Sequence, residues 1–336
     1  MHMADALITP AVGGVMLAVS AGTIGYSVKK VKEDLDEKKV PLMGVMGAFV
    51  FAGQMINFTI PATGSSGHIG GGILLAALLG PYAAFLVLSA VLLIQALFFA
   101  DGGLLALGCN IINMGFFACF VAYPLLYKPI VKKSFTPKRI TLGAISAVIV
   151  GLQLGAFSVV LETLISGVTE LPFLSFLMLM QPIHLAIGLV EGIATAAVLC
   201  FIYQANPVLL DGEADMERSG TMTGKKVLAV LIAVTVFIGG VLSSFASAYP
   251  DGLEWSMEGV AGTAELERGG SAYHAAADIQ GRTAFLPDYG FKNSDESSAL
   301  AGTAASGILG GAITLGAAGL AGYFITRSKK KVKCQN

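Results

Sequence analysis

Charge is scarce in this chain. Only 13% of its 336 residues are Asp, Glu, Lys or Arg, against 55% hydrophobic residues. Soluble chains carry about 25% charged residues, so an ordinary water-facing globule is excluded and a membrane protein is indicated. The formal net charge of −1 leaves no basic footprint for nucleic acid. Cysteine is equally sparse: Cys109, Cys119, Cys200 and Cys334 form no CxxC pair. Neither a disulfide frame nor a cysteine zinc site is indicated. The first residues lack the basic region of a cleavable signal, and no A-x-A-like site closes the first apolar run. A Walker-type GxxxxGK(S/T) loop is missing too, so no nucleotide-phosphate cradle of that kind is expected.

Glycine is plentiful, at 42 residues, which suits close helix packing in lipid. Apolar runs of spanning length are read as membrane segments, and flanking lysines and arginines set their direction. Residues 7–28 form a first segment, followed by Lys29, Lys30, Lys32, Lys38 and Lys39 on the cytoplasmic side. The amino terminus is then outside. Residues 41–60 return outward and deliver the loop at 63–72 to the same side. The run at 69–99 is broken by Gly80-Pro81, a turn or helix-start signal. Parity requires both pieces to cross, the first as a short span at 69–79 buried in protein. Segments at 103–127, 140–165 and 173–204 follow.

Residues 206–226, with DGEADMERSG at their heart, form a polar linker. A span at 227–248, an external loop at 249–298 and a last span at 299–326 complete the chain. Arg327, Lys329, Lys330, Lys331 and Lys333 end it on the cytoplasmic side. The expected fold is an all-α polytopic membrane protein. A seven-helix substrate-binding bundle (1–205) is joined through the linker to a two-helix C-terminal module (227–336) with an external loop.

Within this frame the stretch Met1-His2-Met3-Ala4-Asp5 stands out. The Met1 terminal amine, the His2 amide nitrogen and the His2 imidazole can close two fused rings on one ion. They lie nearly in a plane because the peptide link is flat. A second imidazole completes a four-nitrogen plane, the arrangement that suits Ni(II) or Cu(II) better than tetrahedral Zn(II). His68, in TGSSGHIGGG, is the candidate. The pattern alone suits a solvent-facing loop histidine equally well. Thr63, Ser65 and Ser66 offer hydrogen bonds to fix its ring. Asp5 is expected to cap the first helix rather than bind metal.

Polar residues inside membrane segments are functional candidates by default. Gln54 and Asn57, one helical turn apart, read as interior hydrogen-bond glue or support for the site, as do Asn110, Asn113, Gln153 and Glu162. His184 and Glu191 share a helix face and read as a buried bracing pair or a proton relay. His274 is expected to be solvated.

MHMADAL, FVFAGQMINF, TGSSGHIGGG and QPIHLAIGLVEG together resemble the substrate-specific M component of nickel and cobalt importers. These are energy-coupling-factor (ECF) transporters of the NikM/CbiM family, and the likeness covers about residues 1–205. The C-terminal third, with SSFASAYPDGLEWS at 243–256 and FLPDYGF at 285–291, looks like the small N component fused on. The resemblance implies metal ligation by the Met1 amine, the His2 amide and imidazole, and His68. It implies a separate transmembrane T component, cytoplasmic ATP-binding subunits and a bacterial or archaeal cell membrane. The chain is then a non-enzymatic transport subunit for Ni(II), with Co(II) as the alternative cargo and no organic cofactor. Two rival classes remain: a proton-coupled metal carrier using Glu162, His184 and Glu191, and an intramembrane hydrolase built on Ser66 and His68.

Overall fold

The computed structural model describes residues 2–34, 39–210, 220–292 and 296–333. Among the described residues seven helices precede Asn206: α1 (Pro10–Asp34), α2 (Val40–Gln54), α3 (Gly72–Leu79), α4 (Pro81–Phe99), α5 (Leu107–Lys132), α6 (Pro137–Ser166) and α7 (Phe173–Ala205). Four more follow: α8 (Gly224–Gly240), α9 (Gly252–Ala261), α10 (Ser271–Thr283) and α11 (Glu296–Lys333). Among the described residues, six helices are long and apolar enough to cross a membrane: α1, α4, α5, α6, α7 and residues 300–327 of α11.

Local chemistry sets these boundaries. Pro137 opens α6 behind a Thr136 cap that accepts from Arg139 N at 3.4 Å. Thr223 caps α8 in the same way. Asp251 and Glu254 form a reciprocal capping box on α9. Gly80-Pro81 separates α3 from α4, as the sequence predicts. All eight residues of α3 are buried, so this short helix sits inside protein and not against lipid.

Several expectations need correction. The second segment does not run helically to residue 60: α2 ends at Gln54. Phe58–Ile60 (β1) and Ser65–Gly67 (β2) form a small antiparallel hairpin instead, with Phe58 opposite Gly67 and Ile60 opposite Ser65. Gln54 and Asn57 therefore do not share a helical turn. Asp5 does not cap α1. Its carboxylate accepts from Ala106 N at 3.0 Å, ahead of α5, while Thr9 Oγ1 accepts from Val12 N at the start of α1. The external loop is not a bare connector, since it folds into α9, α10 and a short 3-10 turn at Pro287–Tyr289. Residues 211–219 of the linker lie outside the described residues, as do Lys38, Cys334 and Met1.

The core is a layer of Phe, Leu, Met and Val side chains shared by α2 to α7. Conversely, Leu142, Ile165, Leu174, Leu185, Ile193, Phe237 and Phe324 are exposed. Large apolar side chains outside and polar ones inside is the arrangement of a bilayer-facing bundle. Helices α8 and α11 pack on α2 and on each other. They cross where Gly239 meets Gly307, and a Cβ on Gly307 would overlap the Gly239 carbonyl. Small residues at such crossings let backbones approach closely.

Candidate metal centre

The amino-terminal arm folds back into one end of the bundle. Met3 is fully buried. Its backbone is held on both sides by one amide: Met3 N donates to Asn110 Oδ1 at 2.7 Å, and Asn110 Nδ2 donates to Met3 O at 3.2 Å. Gly103 N donates to the same carbonyl at 2.9 Å. A short 3-10 turn at Asp5–Leu7 then buries Leu7 and leads into α1. This anchoring places His2 beside the hairpin loop of His68. The two rings stack, with centroids 5.1 Å apart and planes 19° from parallel.

Hydrogen bonds orient both imidazoles. His68 Nδ1 faces Ile69 O at 3.1 Å. A carbonyl only accepts, so Nδ1 carries the proton and Nε2 the lone pair. His2 Nε2 faces Gln95 Oε1 at 3.3 Å. The direction of that contact is set from the far end of an amide chain. Gln54 Nε2 donates to Gly70 O at 2.9 Å, and Gln95 Nε2 donates to Gln54 Oε1 at 2.8 Å. Gln95 therefore offers its oxygen to His2 Nε2. The other nitrogen, Nδ1, lies 3.3 Å from Asp101 Oδ1. Burial pushes both histidines below the ordinary imidazole range, His68 furthest. Neutral imidazoles are what a metal requires.

Residues of the C-terminal module close over this pair. Ser66 N donates to Pro250 O at 2.8 Å, and Ser66 Oγ donates to Tyr249 O at 2.7 Å. Trp255 Nε1 donates to Thr63 O at 3.0 Å, and Ser247 N to Asn57 O at 2.7 Å. Asp251 Oδ2 stands 4.0 Å from His68 Nε2. On the other flank, Asp288 and Tyr289 hold left-handed backbone angles, with φ of 49° and 59°, and Tyr289 donates to Asp101 Oδ2. Burial, and then the Asp101 charge, hold the Tyr289 phenol well above its usual value, so it stays a donor.

The sequence-derived residues thus divide. His2 and His68 meet. Gln54 supports them through Gln95, which the sequence reading did not single out. Thr63, Ser65 and Ser66 serve mainly as hairpin and docking groups: Thr63 Oγ1 donates to Ile60 O at 2.9 Å and Ser65 Oγ to Ser66 O at 3.1 Å. Ser66 Oγ is spent on Tyr249 and Pro250, not held as a nucleophile against His68. His184 and Glu191 share a face of α7 but take separate partners. His184 Nδ1 lies 2.7 Å from Met180 O, and Glu191 Oε1 accepts from Gly71 N at 2.9 Å. Asn57 is half-buried beyond the end of α2. Met1 lies outside the described residues.

Above the pair opens a cavity of about 470 Å³ whose walls include Asp5, Asp101, Asp251, Glu254, Glu265 and Asp288 against one Arg268. Such a surplus of carboxylates concentrates cations. His274 is exposed on the same wall.

A multi-pass helical bundle that buries two oriented imidazoles beneath an acidic vestibule has the makings of a membrane transporter for a cation. Comparison with known proteins gives the family. Residues 2–209 match the model of the cobalt uptake substrate-specific transmembrane region, and residues 225–327 match the PDGLE domain. The fused nickel transport protein NikMN of Rhodobacter capsulatus is 32% identical over 225 residues, spanning 62% of this chain and 64% of that one. A protein of Archaeoglobus fulgidus named for fused nickel transport is 35% identical over 234 residues, 70% and 74% of the two chains. The cobalt transport protein CbiM of Geobacter sulfurreducens is 28% identical over 256 residues, 72% and 71%. A solved transition metal transporter matches with a TM-score of 0.54 at 31% identity, covering 62% of this chain and 96% of that one. The chain belongs to the cobalt uptake substrate-specific family, with a PDGLE domain fused after it. The relatives named here are nickel and cobalt transport proteins.

Proposed function

We propose that this chain captures Ni(II) from outside the cell through four nitrogens in a plane: the Met1 amine, the His2 amide and imidazole, and His68. The observation that carries this reading is the approach of His2 to His68 across 66 positions of sequence. Metal–nitrogen bonds are about 2.0 Å, so imidazoles on adjacent corners of one ion have centroids about 4.5 Å apart. The stacked rings at 5.1 Å need to close by little more than half an ångström. His2 Nδ1, nearer its own backbone amide, is the nitrogen that can close a chelate ring, and His68 Nε2 carries the lone pair.

With one ionised amide the bound site has a net charge near +1, cheaper to bury than a dication. The plane disfavours oxygen-seeking Mg(II) and Ca(II) and tetrahedral Zn(II). Co(II) is the alternative cargo on the same ligands. Four acidic side chains of the vestibule, Asp251, Glu254, Glu265 and Asp288, come from the fused module, which makes it a loading device. The basic ends of α1, α5 and α11 and the lysine-bearing start of α8 mark the cytoplasmic side. The amino terminus, hairpin and vestibule then face outward. Residues 1–205 are the metal-binding unit, 206–226 a cytoplasmic linker and 227–336 the second unit.

Energy comes from partners, namely a transmembrane T component and cytoplasmic ATP-binding subunits. The test is uptake of radioactive Ni(II) by cells expressing this chain with and without those partners. Uptake that requires ATP hydrolysis by the partner and disappears in His68→Ala is expected. Uptake by the chain alone, driven by a proton gradient, would overturn the coupling.

A further inference from the structure

His68 also borders a second cavity, which shares Asp251 with the vestibule. Its volume is about 30 Å³, and His68, Asn113, His184, Glu191, Asp251 and Gly252 are among its walls. It has room for one or two waters, or for one small ion with little of its hydration shell.

The polar groups facing it share one property: they accept. His184 is 1% exposed. Its Nδ1 proton is committed to Met180 O, so Nε2 carries a lone pair, and that nitrogen has no hydrogen-bond partner among the described residues. Asn113 is also 1% exposed. Its Nδ2 donates to Glu162 Oε2 at 2.7 Å and faces Met3 Sδ at 3.5 Å. Its Oδ1 is left unpartnered among the described residues. Glu191 gives one oxygen to Gly71 N and adds a carboxylate, as does Asp251. Buried polar atoms are almost always satisfied, and two unsatisfied acceptors facing one small chamber call for a donor-only or cationic occupant.

We propose that this chamber is an inner station for the transported divalent ion, reached from His68 and held by His184 Nε2 with Glu191. Its place on the route rests on the outer four-nitrogen reading; its ability to bind an ion does not. Among the described residues no group of three His, Cys, Asp or Glu converges tightly enough to grip an ion. The inner station therefore binds through few protein ligands and retained water, more weakly than the outer site. Weak binding suits a site that must release its cargo. An imidazole and a carboxylate suit a first-row divalent ion better than Mg(II).

The probe is Co(II) alone, titrated into the purified full chain with its native amino terminus and followed by its visible spectrum and by anomalous scattering from soaked crystals. The wild type should take a tight first equivalent and a weaker second one, with an anomalous peak in the chamber. His184→Asn and Glu191→Gln, which keep size and shape, should lose the second equivalent and keep the first. With partner subunits present, their Ni(II) uptake should fall about tenfold or more at saturating metal, as a missing station raises the barrier to leaving the outer site. A chamber holding only water, or a second equivalent untouched by both substitutions, would overturn the proposal. Adding one residue before Met1 separates the two readings. If the first equivalent survives that extension, the terminal chelate is wrong, while the second equivalent still reports on the chamber.

Discussion

Gln95 presents an oxygen to one edge of the His2 ring. Its oxygen is aimed at His2 because its amide nitrogen is committed to Gln54, and Gln54 is committed in turn to Gly70 O. Outer groups that fix a ligating histidine typically contribute about 10–100-fold in metal affinity. Gln95→Met, of similar size but without the acceptor, should weaken Ni(II) binding by about that factor in equilibrium dialysis. Gln95→Glu, which still accepts from Nε2, should retain most of the affinity. The pH dependence follows from the same residues. Burial lowers His2 and His68 below the ordinary imidazole value, so protons released on binding near neutral pH come from the amine and the amide. Affinity should therefore rise with pH, by about two protons per ion below about pH 7.7, the usual terminal-amine value, and by about one above it. Any histidine break should fall below the ordinary histidine pKa. A flat profile across this range would exclude amine and amide ligation. His2, His68 and Gln54 were legible in the sequence because polar residues in apolar or glycine-rich stretches are conspicuous. Gln95 and the double grip of Asn110 on Met3 were not, since each is defined by a partner 41 or 107 positions away. Asp5 misled for the same reason: its position fits a local cap, yet a tertiary partner, Ala106, claims it.

The segment from Tyr249 to Ser256 acts as a clasp. Its strand-like approach gives carbonyls to Ser66, its capping box fixes Asp251 near His68, and Trp255 reaches back to Thr63. Gly252 is the tight point. A Cβ there would lie 2.8 Å from Ile187 Cδ1 and 3.1 Å from His184 Cε1. Gly252→Val, whose γ-methyls extend beyond that Cβ toward the His184 ring, should therefore push the clasp off its seat, slowing Ni(II) loading while the helices stay folded. Stopped-flow binding together with far-ultraviolet circular dichroism checks this, and unchanged loading would contradict it. Helix positions in the first seven elements were readable from apolar length and from Gly-Pro punctuation. The hairpin was not, because Phe58-Thr59-Ile60 continues the apolar run of α2 and only pairing with Ser65–Gly67 reveals a strand. Helices α9 and α10 hid inside a polar stretch that reads as loop. The capping pair Asp251 and Glu254 was the available signal.

The fold as a whole brings together two points distant in sequence. The arm is pinned by Asn110 and Gly103, the hairpin by the C-terminal module, and the amide chain from Gly70 to His2 ties the two. Exposed apolar side chains on α6, α7, α8 and α11 leave the outside of the bundle to lipid. The scarcity of charge announced that solvent, and the basic clusters announced the proposed orientation. The order in which helices pack was not legible, since apolar faces of similar composition carry no address in the sequence. The central proposal is that the Met1 amine serves as a metal donor together with His2 and His68. It is tested most directly by Ni(II) content and the visible spectrum of the purified chain, compared with a chain carrying one extra residue before Met1. The extension keeps every side chain and moves only the amine. One Ni(II) with a square-planar spectrum in the native chain, lost in the extended one, is the predicted result. Equal binding by both would contradict it and return the site to His2, His68 and the carboxylates around them.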